Sequence, residues 1–231
     1  MKTYFAKALE AFKINLSVIS ECIRTCKNLA EMVSISEGNT KTGKIPSVSL
    51  LPRFSCPWNR CKNTCGKRCY AIKLCTLRNT VMNAYAKNSA IFKLSPTAYF
   101  KAIDSVMKRS QFFRYHIGGD IPNRKYFRMM IKTAKDNPHC TVLFFTKQYE
   151  IVNEWIAKNG QLPANMRCMF SGWTNLKPVN PYNLPETTVY AKDEEFNPAW
   201  TACGGNCLDC ALHCGGCWDA KPGETVAFKI H

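Results

Sequence analysis

Between Phe112 and Trp173 the chain alternates short apolar runs with amphipathic stretches, and this alternation constrains the fold more than any other feature. FFRYHI (112–117) has strand composition and ends in Gly118-Gly119-Asp120. From Pro122 to Asp136, Tyr126, Met129, Met130 and Thr133 recur at helical spacing. TVLFFT (141–146) is a nearly unbroken apolar run, as expected of a strand covered on both faces. Residues 148–159 read as a helix and MRCMFSGW (166–173) as a strand. Upstream, SVSLL (47–51) reads as a strand, 70–94 as helical by pattern, and Ser95-Pro96 as the start of a helix running to about Arg109. Downstream, TTVYA (187–191) and TVAFKI (225–230) are further candidate strands.

Alternation of this kind predicts right-handed βαβ units and a parallel sheet. About six strands are too few for a closed eight-stranded barrel. A partial, open β/α barrel or a doubly wound sheet is left. The expected fold is therefore α/β: an open parallel barrel with an N-terminal helix and Cys-rich metal-binding loops. Residues 3–33 read as one long helix, with Phe5, Leu9, Phe12, Leu16, Ile19, Ile23 and Cys26 on one face. Two units follow: 1–36, an amphipathic helix packed on the core, and 45–231, the barrel with two Cys clusters. A polar, glycine-containing loop, 34–44, joins them.

Chain length and an apolar content of 46% allow one sizeable core and argue against disorder. No apolar run approaches the roughly 20 residues of a membrane span, and the N-terminus lacks the apolar region of a signal peptide. A cytoplasmic protein with no membrane partner is expected. There the 14 cysteines point to metal more than to disulfides. Cys22, Cys26, Cys75, Cys140 and Cys168 are scattered and read as core.

The rest are clustered. Cys56, Cys61, Cys65 and Cys69 lie on one short stretch with no C-x2-C knuckle, which suits a cubane iron–sulfur cluster better than zinc. Cys203, Cys207, Cys210, Cys214 and Cys217 form the denser group, with Gly204, Gly205, Gly215 and Gly216 freeing the backbone. Four of these five suffice for one centre, iron–sulfur or zinc, so one or two centres are expected. Because ligands bind beyond the carboxyl ends of parallel strands, the first cluster, Gly118-Gly119-Asp120 and Ser171-Gly172-Trp173 should converge. By period two, Arg114 and His116 share a strand face with Gly118 and are candidate ligand-binding groups.

The formal net charge of +16 argues for a polyanionic partner, DNA or RNA, or for an acidic surface. Two tetrathiolate centres of about −2 each would still leave the chain near +12. Basic and aromatic residues interleave at Arg53-Phe54, Trp58, Arg60 and again at Arg124-Lys125-Tyr126-Phe127-Arg128, a mix that suits phosphate contact with base stacking or a plain solvated face.

FFRYHIGGDIPNRKYFRMMIKTAKDNPHCTVLFFTK (112–147), SLLPRFSCPWNRCKNTCGKRCYA before it, and a terminal Cys run ending Cys217-Trp218 resemble the phage gene product 88 family over about residues 46–220. The resemblance implies a phage, prophage or mobile-element origin, and hence the host cytoplasm. More distantly, the order of strand, cluster loop and second strand is similar to the radical S-adenosylmethionine (SAM) partial barrel. Gly118-Gly119-Asp120 stands where that superfamily has Gly-Gly-Glu, and Cys61, Cys65 and Cys69 follow at a spacing one residue longer than its triplet. That resemblance implies SAM held by Gly118, Gly119 and Asp120, and radical chemistry on a nucleic acid or nucleotide. Two other functions fit the sequence: a non-catalytic nucleic-acid binder with structural zinc, and an iron–sulfur protein that binds a host protein through its N-terminal helix.

Overall fold

The computed structural model describes residues 2–191, 196–213 and 215–230. Among the described residues eight strands form one sheet: β1 (Ile35–Ser36), β2 (Ser47–Val48), β3 (Phe112–Tyr115), β4 (Thr141–Thr146), β5 (Met166–Ser171), β6 (Glu186–Tyr190), β7 (Thr201–Ala202) and β8 (Thr225–Lys229). Their spatial order is β1-β2-β3-β4-β5-β6-β8-β7. Only β1 is antiparallel to its neighbour.

From β2 to β6 the strands lie in chain order, so the reversal that defines a doubly wound sheet is missing there. Right-handed crossovers then place the connecting helices on one face. The core bears this out. Phe113, Tyr115, Val142, Phe144, Cys168 and Phe170 pack on that face with Ile91, Tyr99, Ile103, Phe127, Met130, Val152 and Ile156. These come from α4 (Asn79–Leu94), α5 (Pro96–Met107), α6 (Arg124–Asp136) and α7 (Tyr149–Asn159). The opposite face carries Leu143, Met169 and Val226, and no helix of this set covers it. Cys217, Trp218 and Ile45 do so, joined by Cys207, Leu208 and Cys210 from the region of α8 (Cys207–Leu212). That is why β4 is apolar at successive positions: both its faces are buried.

Several boundaries differ from the sequence expectation. β1 and β7 are two-residue edge strands, too short to show a period of two. The helix expected over 3–33 ends at Arg24 as α1 (Lys2–Arg24), because Cys26 takes a left-handed φ of 54°. Cys26 is exposed rather than core, while Cys22, Cys75, Cys140 and Cys168 are buried. The stretch 70–94 is two helices, α3 (Tyr70–Leu77) and α4, broken where Arg78 adopts φ −131° and ψ 102°. No Gly or Pro marks that break. α1 packs mainly along α4 and inserts Tyr4, Ala8 and Ala11 into a small core with Leu51, Cys75 and Met82. Among the described residues, no helix is long and apolar enough to cross a membrane.

Candidate metal centres

The parallel strands bring three loops to one edge. After β2 the chain enters the first Cys loop, which carries the one-turn helix α2 (Trp58–Cys61) and is stitched to the end of β3. Leu50 N donates to Gly118 O at 3.0 Å, Gly118 N to Ser49 Oγ at 3.0 Å, and Asp120 N to Ser55 Oγ at 3.1 Å. This closeness explains both glycines. A Cβ on Gly118 would lie 2.6 Å from Tyr85 Cε2. One on Gly119, whose φ is +87°, would lie 2.5 Å from Ser55 Oγ and 2.7 Å from Leu50 O. The space beside Gly119 is filled by the first Cys loop and that beside Gly118 by Tyr85 of α4.

Asp120 is likewise spent on the protein. Its Oδ1 accepts from Ile121 N and Thr146 Oγ1, both at 2.7 Å, and its Oδ2 from Lys147 N at 2.8 Å. The carboxylate thus ties the end of β3 to the end of β4. Burial pushes its pKa up to about 6, against the downward pull of those hydrogen bonds and of the Lys147 charge. Asp120 does not cap α6; Asn123 does, accepting from Tyr126 N at 2.9 Å.

Around this edge sit the first four thiols. Cys61 is buried and Cys56, Cys65 and Cys69 are half-buried. Cys61 lies between two others: the Cys56 thiol pushes its pKa up to about 12, with burial adding to that and Cys65 opposing it. Burial raises Cys69, and the charge of Lys147 bears on Cys61, Cys65 and Cys69 alike. Lys147 is 7% exposed, and its Nζ donates to Ser171 Oγ at 2.6 Å. In the sequence this lysine entered only as the last residue of the 112–147 stretch, with no role of its own. The available signal was a lone cation closing an apolar strand at the edge where parallel strands end.

The second cluster lies on the sheet face opposite α4 to α7. Arg114 points there: its Nη1 donates to Cys207 Sγ at 2.9 Å, and its guanidinium carbon is 4.8 Å from the Phe145 ring centroid. Cys217 is buried, and burial raises its pKa, with the Cys203, Cys207 and Cys210 thiols adding and Arg114 opposing. Burial and the Cys203 and Cys207 thiols likewise raise Cys210. A Cβ on Gly204 or Gly216 would stand 3.5 or 3.4 Å from Cys210 Sγ. Cys214 lies outside the described residues. His213 Nδ1 is 2.8 Å from Asp209 O, one turn back, so it serves its own helix.

His116 departs from the expected pairing with Arg114. A left-handed φ of 59° breaks the pleat, and the ring turns to the helix side, where Nε2 meets Tyr126 Oη at 3.0 Å. Burial lowers its pKa to about 3, so it is a neutral core histidine.

The thiols of each set are neighbours, yet among the described residues no three Cys, His, Asp or Glu side chains converge on one point as a metal ion requires. The donor chemistry suits a thiophilic metal. The glycines around Cys210 and the buried, unpartnered Nε of Arg114 mark the C-terminal set as the better fit.

A family model described as gene product 88 matches residues 24–206. The chain belongs to the gene product 88 family. No curated protein and no solved structure matches it. The gene product 88 match begins earlier and ends sooner than the resemblance read from the sequence. It takes in the whole first thiol set, Arg114 to Asp120, Lys147 and Ser171, but of the C-terminal cysteines only Cys203.

Proposed function

We propose that this gene product 88 protein is a phage-type iron–sulfur protein of the host cytoplasm, with its working centre on Cys56, Cys61, Cys65 and Cys69 and a second centre on the C-terminal cysteines. One observation carries the reading: four thiols and a buried lysine share the carboxyl edge of a chain-ordered parallel sheet, the edge where α/β folds place their chemistry. The chain order of β2 to β6 supports a partial-barrel curvature as well. A bound cluster supplies one-electron chemistry. The protein's own residues hold the loop: Ser55 and Asp120 anchor it, and Lys147 sets a positive charge beside it. The net charge of +16 supports a nucleic acid or nucleotide as substrate.

A second reading is a non-catalytic nucleic-acid binder with structural zinc. The observation favouring it is Asp120, which already spends three of its four acceptor positions on Ile121 N, Thr146 Oγ1 and Lys147 N. Anaerobic purification with iron, sulfide and zinc analysis separates the two. Brown protein with a reducible cluster that cleaves SAM establishes the radical enzyme. A reducible cluster that leaves SAM intact retains the iron–sulfur protein without that chemistry. Colourless protein with stoichiometric zinc establishes the second reading. Absence of DNA and RNA binding would direct attention to a host protein partner.

A further inference from the structure

Arg114 is a partly buried cation whose hydrogen-bond acceptor is a sulfur. Its Nη1 lies 2.9 Å from Cys207 Sγ, its guanidinium carbon lies 4.8 Å from the Phe145 ring centroid, and among the described residues its buried Nε has no partner. Among the described residues its guanidinium has no carboxylate at ion-pair distance. A guanidinium stays charged at any working pH, and taking it from water without a counter-charge is costly. A neutral thiol is a weak acceptor and offers none. The site therefore calls for negative charge on the sulfurs facing Arg114.

Four thiols share that neighbourhood. Cys203, Cys207, Cys210 and Cys217 act on one another electrostatically, and Arg114 acts on Cys217. They are short of convergence, and little side chain crowds the space beside Cys210. A Cβ on Gly205 or Gly215 would meet nothing within 4 Å, and on Gly204 or Gly216 its nearest contact would be Cys210 Sγ.

We infer that Cys203, Cys207, Cys210 and Cys217 form an anionic metal–thiolate centre for a thiophilic divalent cation, with Arg114 as its counter-cation and positioning residue. This rests on the metal-binding part of the function proposed above. Each thiol gives up its proton when it ligates, so four protons leave as one divalent ion enters and the centre carries about −2. Arg114 offsets half of that charge. The centre also closes a core, because Cys217 and Trp218 pack on Leu143, Met169 and Val226.

Cobalt(II) titration of the full chain tests this, followed by the thiolate-to-cobalt charge-transfer band. A Cys61→Ser, Cys65→Ser background silences the first thiol set. Tetrahedral cobalt binding is expected, lost with Cys207→Ser or Cys210→Ser. Arg114→Met should weaken cobalt 10- to 100-fold, the usual effect of removing a group that supports a metal ligand. Arg114→Lys should restore most of the affinity, and Arg114→Gln should not; circular dichroism checks that each variant folds. If folded Arg114→Met binds as tightly as its parent, or Arg114→Lys as weakly as Arg114→Met, the role of Arg114 is overturned while the centre stands. If the parent binds no cobalt, the C-terminal centre and the role of Arg114 fall, and metal analysis of the chain with its first thiol set intact decides the wider reading.

Discussion

Replacing Asp120 by Asn tests whether this carboxylate is a buried tie rather than a ligand-binding group. The amide keeps one oxygen for Ile121 N and Thr146 Oγ1 but turns an NH2 toward the Lys147 N–H, now 2.8 Å from Oδ2. Losing that acceptor costs about 1–3 kcal/mol. Against this, the wild-type pays for a buried charge. Its pKa stands at about 6 in the fold, against an ordinary 3.8. At about 1.36 kcal/mol per pH unit, ionising Asp120 in place costs about 3 kcal/mol of stability. The sign follows from the direction of the shift. A carboxyl group whose folded pKa lies above its unfolded one contributes most at low pH, and that contribution is lost as pH rises from 3.8 through about 6. Urea unfolding of wild-type and Asp120→Asn from pH 4 to 8 isolates the effect. Over this range the wild-type-minus-variant difference should fall by about 2.5 kcal/mol, most of it below pH 6, and level off by about pH 7. A difference that is level throughout, or that grows with pH, would show that the hydrogen bonds outweigh burial and would refute the reasoning.

Other perturbations probe the remaining supports. Gly119→Ala should destabilise more than Gly118→Ala, because its φ of +87° strains any L side chain and its Cβ meets backbone Leu50 O, whereas Gly118 meets a Tyr85 ring that can shift; thermal melts of the two compare them, and equal losses would count against a close-packed Cys loop. Phe144→Ala, at a fully buried position against Phe127, should cost about 3–5 kcal/mol by chemical denaturation, and a loss under 1 would place β4 wrongly. Tyr4→Phe removes the 2.9 Å bond to Pro52 O and should cost about 1 kcal/mol, read by the same assay. If the positive charge serves a nucleic acid, affinity for single-stranded RNA or DNA should fall steeply and log-linearly with salt, and a flat salt dependence would reject phosphate contact.

The legible parts of the fold were those written locally. β4 could be read because six consecutive residues are packed on both faces, and α6 because its buried Tyr126, Met130 and Thr133 repeat at helical spacing. The break at Arg78 carries no Gly or Pro, so nothing local announced it. The glycines before Asp120 were visible, but their reason was not: they admit Ser55 and Tyr85 from elsewhere in the chain. Arg114 and His116 looked like a pair under a two-residue period, and one left-handed φ separated them to opposite sides of the sheet.

By itself the amino-acid order determined that this is an α/β chain, that its thiols come in two groups, and that its surface is strongly basic. These follow from composition and short-range periodicity, which a chain expresses before it is folded. Only the tertiary structure decided that Lys147 meets Ser171, that Asp120 is already taken, and that Arg114 reaches Cys207 across 93 residues. Such meetings depend on which strands lie side by side and on which loop roofs which face, and both are settled by packing of the whole sheet.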